Sequence, residues 1–85
     1  MKILIAEDDE FLLKAMDFKL SKEGFEVVQA KDGLEVKKIL ESGNIPDIII
    51  TDIMMPYFTG LEVISYVRKN FYKKSIPIIA LSAIG

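Results

Sequence analysis

The chain contains neither cysteine nor histidine. Without cysteine it can form no disulfide framework and no thiolate metal site; without histidine it lacks the commonest zinc ligand, the usual general base and any capacity to carry a phosphohistidine. It also lacks an excess of positive charge. Eleven Lys plus Arg stand against 13 Asp plus Glu, a formal net charge of -2, which supplies no basic field for a nucleic-acid backbone. No apolar run approaches the ~18 residues of a membrane span. The opening Met1-Lys2-Ile3-Leu4-Ile5-Ala6 is too short, and too soon acidic, for a signal peptide. These absences lead us to expect a cytoplasmic chain with no nucleic-acid partner and no membrane partner.

What is present is a composition of 51% hydrophobic and 28% charged residues over 85 positions, which suits one small globular domain rather than a disordered tail. A chain of this length buries only somewhat more than about 60% of its unfolded surface, so a thin core is expected.

Ile3 to Ala6 is a solid apolar run ending at the acidic cluster Glu7-Asp8-Asp9-Glu10, the pattern of a strand buried on both faces. From Phe11 to Glu23 helical spacing turns Leu12, Met16 and Leu20 inward, with Phe11, Ala15 and Phe18 beside them, and Gly24 stops the helix. A second strand covers Phe25 to Ala30. Asp32 with Glu35 offers a helix cap, and a second helix runs to about Glu41 with Leu34, Val36, Ile39 and Leu40 expected in the core. After the loop Ser42 to Pro46, Asp47-Ile48-Ile49-Ile50-Thr51 is the most strongly β-type segment and ends on Asp52. Thr59 with Glu62 repeats the cap pattern before a third helix, whose stripe is Leu61, Ile64 and Val67, widened by Val63 and Tyr66, ending near Asn70. Ile76 to Leu81 is a last apolar strand with Pro77 at its entrance.

The order βαβαβαβ, with each strand a continuous apolar run, implies an α/β fold: a parallel sheet with helices on both faces. Ligands of such sheets sit beyond the carboxyl ends of the strands. That rule selects Asp8 and Asp9 after the first strand, Asp52 after the third and Ser82 after the fourth. Three carboxylates converging there raise one another's pKa unless a cation compensates, and an oxygen-only ligand set with open water positions suits Mg²⁺. The competing reading of Asp8 and Asp9 is a solvated cap for the first helix. Asp52 argues against a merely capping role for all three, because it closes an apolar strand and is followed by Ile53-Met54-Met55-Pro56 rather than by a helix start.

These residues resemble the receiver domain of bacterial two-component response regulators, over residues 1–85. Leu4-Ile5-Ala6-Glu7-Asp8-Asp9 is similar to the family's first strand with its acidic pair, and Asp47-Ile48-Ile49-Ile50-Thr51-Asp52 to the strand that ends in the phospho-acceptor. Met55-Pro56-Tyr57-Phe58-Thr59-Gly60 resembles the loop that follows, and Pro77-Ile78-Ile79-Ala80-Leu81-Ser82-Ala83 the fourth strand with its hydroxyl switch residue. The resemblance implies a flavodoxin-like, doubly wound sheet of strand order 2-1-3-4. It implies a phospho-acceptor signalling module rather than a conventional enzyme. Asp52 would take a phosphoryl group from a sensor histidine kinase, Asp8, Asp9, Asp52 and the Met54 backbone carbonyl would hold Mg²⁺, and Ser82 would hydrogen-bond the phosphoryl oxygen.

The family continues through a fourth helix, a fifth strand ending in a lysine that pairs with the phosphoryl group, and a fifth helix. No residue of this sequence is assignable to that lysine, so the expectation is a truncated receiver domain with impaired phosphorylation. Its fourth strand, lacking an outer neighbour, would pair with a second copy to give a homodimer. The alternative is a receiver-derived structural or self-association fragment without phosphorylation activity. A metal-dependent hydrolase ranks last, because Ile53-Met54 supply no further acid or base beside Asp52.

Overall fold

Strand and helix alternate along the chain as the apolar runs require. A computed structural model describes residues 1–81. In chain order it contains β1 (Lys2–Ala6), α1 (Glu10–Lys22), β2 (Glu26–Ala30), α2 (Gly33–Glu41), β3 (Ile48–Asp52), α3 (Gly60–Asn70), a short 3₁₀ turn (Tyr72–Lys74) and β4 (Ile78–Leu81). All pairings are parallel and the sheet order is β2-β1-β3-β4, the α/β arrangement expected. Ser82 lies outside the described residues.

Because side chains alternate along a strand, each strand serves two cores. Leu4, Ala6, Ala30 and Ile49 pack with Val36 and Leu40 of α2 and with Val63 and Val67 of α3. On the opposite face Ile3 and Ile5 meet Leu13 of α1, flanked by Met16, Leu20, Val27, Ile48 and Ile50. Helix starts are set locally. The Asp9 carboxylate accepts the Phe11 and Leu12 amides, Asp32 accepts the Glu35 amide, and Thr59 and Glu62 form a reciprocal capping box. Gly24 follows α1 at φ +96°, a left-handed conformation that glycine adopts without steric cost.

Several expected core positions face water instead. In α1 the inward residue is Leu13, whereas Phe11, Leu12 and Phe18 are exposed and Ala15 lies on the outer side. The cap at Asp9 sets the phase of this helix. Leu13, Met16 and Leu20 then lie within about 60° of one direction, at ~100° per residue, and Leu12 falls off its edge. Leu34 of α2 and Leu61 of α3 are likewise exposed, because at ~100° per residue each stands about 160° around its helix from the core-facing residue two positions on, Val36 or Val63. Met55 is buried, while Met16, expected to turn inward, is only partly so.

Candidate functional site

The register aligns the strand ends that matter. Ala6 of β1 pairs with Thr51 of β3, and Asp52 pairs with Leu81 of β4, so the first residues after β1 emerge beside the last residue of β3. One ligand oxygen from each of Glu7, Asp8 and Asp52 lies within 4.8 Å of the other two. A depression of about 460 Å³, lined by Glu7, Asp8, Asp9, Leu12, Asp52, Met54 and Leu81, opens over them.

Each carboxylate is held differently. The Glu7 amide donates to the Ala30 carbonyl at 3.0 Å, which carries the β1–β2 ladder one residue beyond β1 and leaves Glu7 buried. Burial is the main reason its carboxyl is held above the usual range. The Asp9 amide, which donates to Glu7 Oε2 at 3.0 Å, pulls the other way, while the charges of Asp52 and Asp8 push it up further. Asp8 is exposed, and Asp52 is partly buried with Oδ1 accepting the Met54 amide at 3.2 Å. Behind it, the buried Thr51 hydroxyl donates to the Asp52 carbonyl at 3.0 Å.

Asp9 occupies another role. Its Oδ1 accepts the Phe11 amide at 3.0 Å and the Leu12 amide at 3.2 Å, so it caps α1 and stands at the rim rather than within the close group. Of the carboxylates expected around a metal, the structure therefore brings Asp8 and Asp52 together, and adds Glu7 where Asp9 was expected. Glu7 was overlooked because it reads as the first residue of a solvated acidic run. The available signal was its position directly after Ala6, still in phase with the strand. The Met54 backbone stands two residues beyond Asp52, and its side chain is exposed beside the site.

Clustered carboxylates are hard donors, and Glu7 is driven toward its neutral form chiefly by burial and further by the charges of Asp52 and Asp8, so the donor set fits a small divalent cation such as Mg²⁺. Among the described residues no Lys or Arg lines the depression. Lys73 and Lys74 belong to the 3₁₀ turn before β4, at the other end of that strand.

The fold and this site define a class. The sequence profile of the response regulator receiver domain matches residues 3–85, and the chain belongs to that family. It is 38% identical over 85 residues to response regulator RR06 of Streptococcus pneumoniae, covering 100% of this chain and 37% of that protein. It is 35% identical over 82 residues to the alkaline phosphatase synthesis transcriptional regulatory protein PhoP of Bacillus subtilis, covering 96% of this chain and 33% of the relative. The chain thus spans about a third of the length of these curated relatives. Among solved structures, the response regulator TrrA of Thermotoga maritima, in complex with Mg²⁺ and BeF, superposes with a TM-score of 0.87 at 37% identity, covering 99% of this chain and 70% of that one. As a member of this family the chain is a signalling module of the phospho-acceptor type.

Proposed function

We propose that residues 1–85 form part of one receiver domain in which Asp52 accepts a phosphoryl group from the phosphohistidine of a sensor kinase. A carboxylate oxygen of Asp52 attacks phosphorus, the P–N bond breaks, and the imidazole leaves with the bonding pair and takes a proton from water. The product is an acyl phosphate on Asp52. The observation that carries this reading is the convergence of Glu7, Asp8 and Asp52 within 4.8 Å at adjacent strand ends. Glu7, Asp8, Asp52 and the Met54 carbonyl would hold Mg²⁺, which supplies charge neutralisation for phosphoryl transfer. Asp9 contributes by starting α1, and so by fixing where Asp8 and Glu7 stand. Met54 amide donation to Asp52 Oδ1 orients the carboxylate, and Leu12, Met54 and Leu81 line the depression beside it. Ser82 is proposed, from its place after β4, to hydrogen-bond a phosphoryl oxygen. That the site is cytoplasmic is inferred from its need for a kinase partner; no helix among the described residues is long and apolar enough to cross a membrane.

Tested as these 85 residues alone, the chain should be labelled slowly, because among the described residues no Lys or Arg lines the depression to neutralise the phosphoryl group. It should also self-associate through β4, where Ile79 and Leu81 are exposed. Titration with Mg²⁺, followed by amide NMR and by intact mass after addition of acetyl phosphate, tests the site. Saturable shifts at Asp8 and Met54 and a slow phosphoryl mass increment, both abolished by Asp52→Asn, are expected. Diffuse shifts at every acidic residue, unchanged by Asp52→Asn, would refute it.

A further inference from the structure

The segment that follows Asp52, residues 53–59, has no regular secondary structure, yet it carries Met54, whose amide bonds the Asp52 carboxylate. Something outside the segment must hold it. The structure assigns that task to two glycines at helix starts, and we infer that Gly33 in particular is a positioning residue for the Asp52 site. This rests on the reading of Asp52 as phospho-acceptor beside a Mg²⁺ site.

Gly33 is the first residue of α2 and is buried. Its backbone is not in the left-handed region, which among the glycines is occupied by Gly24 and Gly43, so no conformational demand explains a glycine there. Glycine at a helix start also forgoes the side-chain contacts and helix propensity of alanine. The explanation is space. A Cβ added at Gly33 would stand 2.6 Å from Phe58 Cδ1 and 2.7 Å from Phe58 Cβ, and would overlap the Phe58 carbonyl. The α2 start therefore rests directly on the segment's backbone. Phe58 is held from its other side by α3, its ring edge-on to Tyr66 at 6.4 Å and 81°.

The second glycine closes the segment at its ends. Gly60 begins α3, its amide donates to the Ile53 carbonyl at 3.0 Å, and an added Cβ would stand 2.7 Å from Ile53 Cα and 2.9 Å from the Asp52 carbonyl carbon. The segment thus leaves Asp52, passes Met54, is seated at Phe58 against Gly33, and returns to Ile53 at Gly60. A side chain at position 33 forces either α2 or the segment to move. α2 is a hydrogen-bonded helix anchored in the core by Val36 and Leu40, whereas the irregular segment is held there by Met55 and Phe58 with Met54, Pro56 and Tyr57 exposed, so the segment yields first. Met54 is then displaced from Asp52 although neither residue is touched by the substitution. Sites of this kind lose function when their geometry loosens by about 1 Å.

The test uses the 85-residue chain, ¹⁵N-labelled, with two readouts. One is the change in the Met54 amide shift on Asp52→Asn, measured without metal; the other is the Mg²⁺ dissociation constant from amide titration. Gly33→Ala is expected to lose most of the Met54 response and to weaken Mg²⁺ binding about tenfold or more. Phe58→Ala, which loosens the same seat without overlap and so keeps the chain folded, should shift both in the same direction by less. Gly43→Ala is the control: it sits past the far end of α2 at φ +91° with nothing within 4 Å of an added Cβ, so it strains the backbone and lowers the melting temperature but should leave both readouts unchanged. A wild-type Met54 response and Mg²⁺ affinity in folded Gly33→Ala, or an equal loss in Gly43→Ala, would overturn the inference. Absence of Asp52-dependent Mg²⁺ binding in the unaltered chain would instead refute the phospho-acceptor reading, while the metal-free Met54 response would still decide the role of Gly33.

Discussion

The two faces of the sheet are unequal. Among the described residues, ten buried ones beneath α2 and α3 form one cluster that reaches from Leu4 to Ile76, and beneath α1 only Ile3, Ile5 and Leu13 are buried. On that second face, Met16, Leu20, Ile50, Ile79 and Leu81 line an open apolar groove beside β4. Both faces follow the same strand alternation, so the difference does not come from the strands. Among the described residues it comes from cover: two helices shield one face, and a single helix lying mainly over β1 and β2 shields the other. Among the described residues, burial is therefore concentrated on the α2/α3 face.

The sharpest test of this inequality uses one chemistry on both faces. Leu40→Ala should destabilise the chain by about 4 kcal/mol and Leu13→Ala by about 2 kcal/mol, since the cost of a Leu→Ala cavity depends on how completely the site is enclosed. Urea unfolding measures both, and equal losses would erase the distinction between the faces. A smaller effect is expected at the start of α3, where Thr59→Ala removes the capping hydroxyl at a cost of about 1 kcal/mol. Because α3 covers only the better-packed face, this loss should add to that of Leu13→Ala in the double variant; strong coupling between them would show the faces acting as one unit.

The exposed face gives the complementary expectation. In the 85-residue chain Ile79→Lys should change the stability of the monomer by less than about 0.5 kcal/mol, as exposed substitutions do, while weakening the pairing through β4 proposed above, read by sedimentation equilibrium at micromolar concentration. A chain that is monomeric before the substitution would remove the case for pairing through β4.

The smallest expected effect concerns the strand ends. Glu7 has its carboxyl held above the ordinary 4.5, chiefly by burial. The folded chain therefore binds this proton more tightly than the unfolded chain. The stability this group contributes is complete below its ordinary value and is lost as pH rises through the raised folded value. Without metal, Glu7→Gln should raise the melting temperature at neutral pH and leave it nearly unchanged at about pH 4; Mg²⁺ should stabilise the unaltered chain and not this variant. A melting temperature equally raised at both pH values would assign the gain to something other than the charge.

Much of this molecule is legible without coordinates. Solid apolar strands alternating with amphipathic helices dictate a parallel sheet, since only helices on both faces can cover such strands. The cap at Asp32, the capping box at Thr59 and Glu62, and the position of Asp52 at the end of β3 are each local, and each can be read within a few residues. Helix phase was less legible. Leu12 and Leu13 are equally apolar, and only the cap at Asp9 and the angle at which α1 meets the sheet select Leu13 for the core.

The sequence by itself determined that acidic residues would follow β1 and β3 at one edge of the sheet, because strand order and direction follow from the alternation of elements and the resemblance to the family. Tertiary structure decided which acids meet. Glu7, Asp8, Asp9 and Glu10 are four consecutive carboxylates with the same chemistry, and they are sorted only by the register that extends the β1–β2 ladder to Glu7 and by the helix start that engages Asp9. It also decided why Gly33 is glycine. That residue meets Phe58 across 25 positions of chain, and a contact so distant in sequence is set by how α2 and α3 pack over the sheet, which no local pattern specifies.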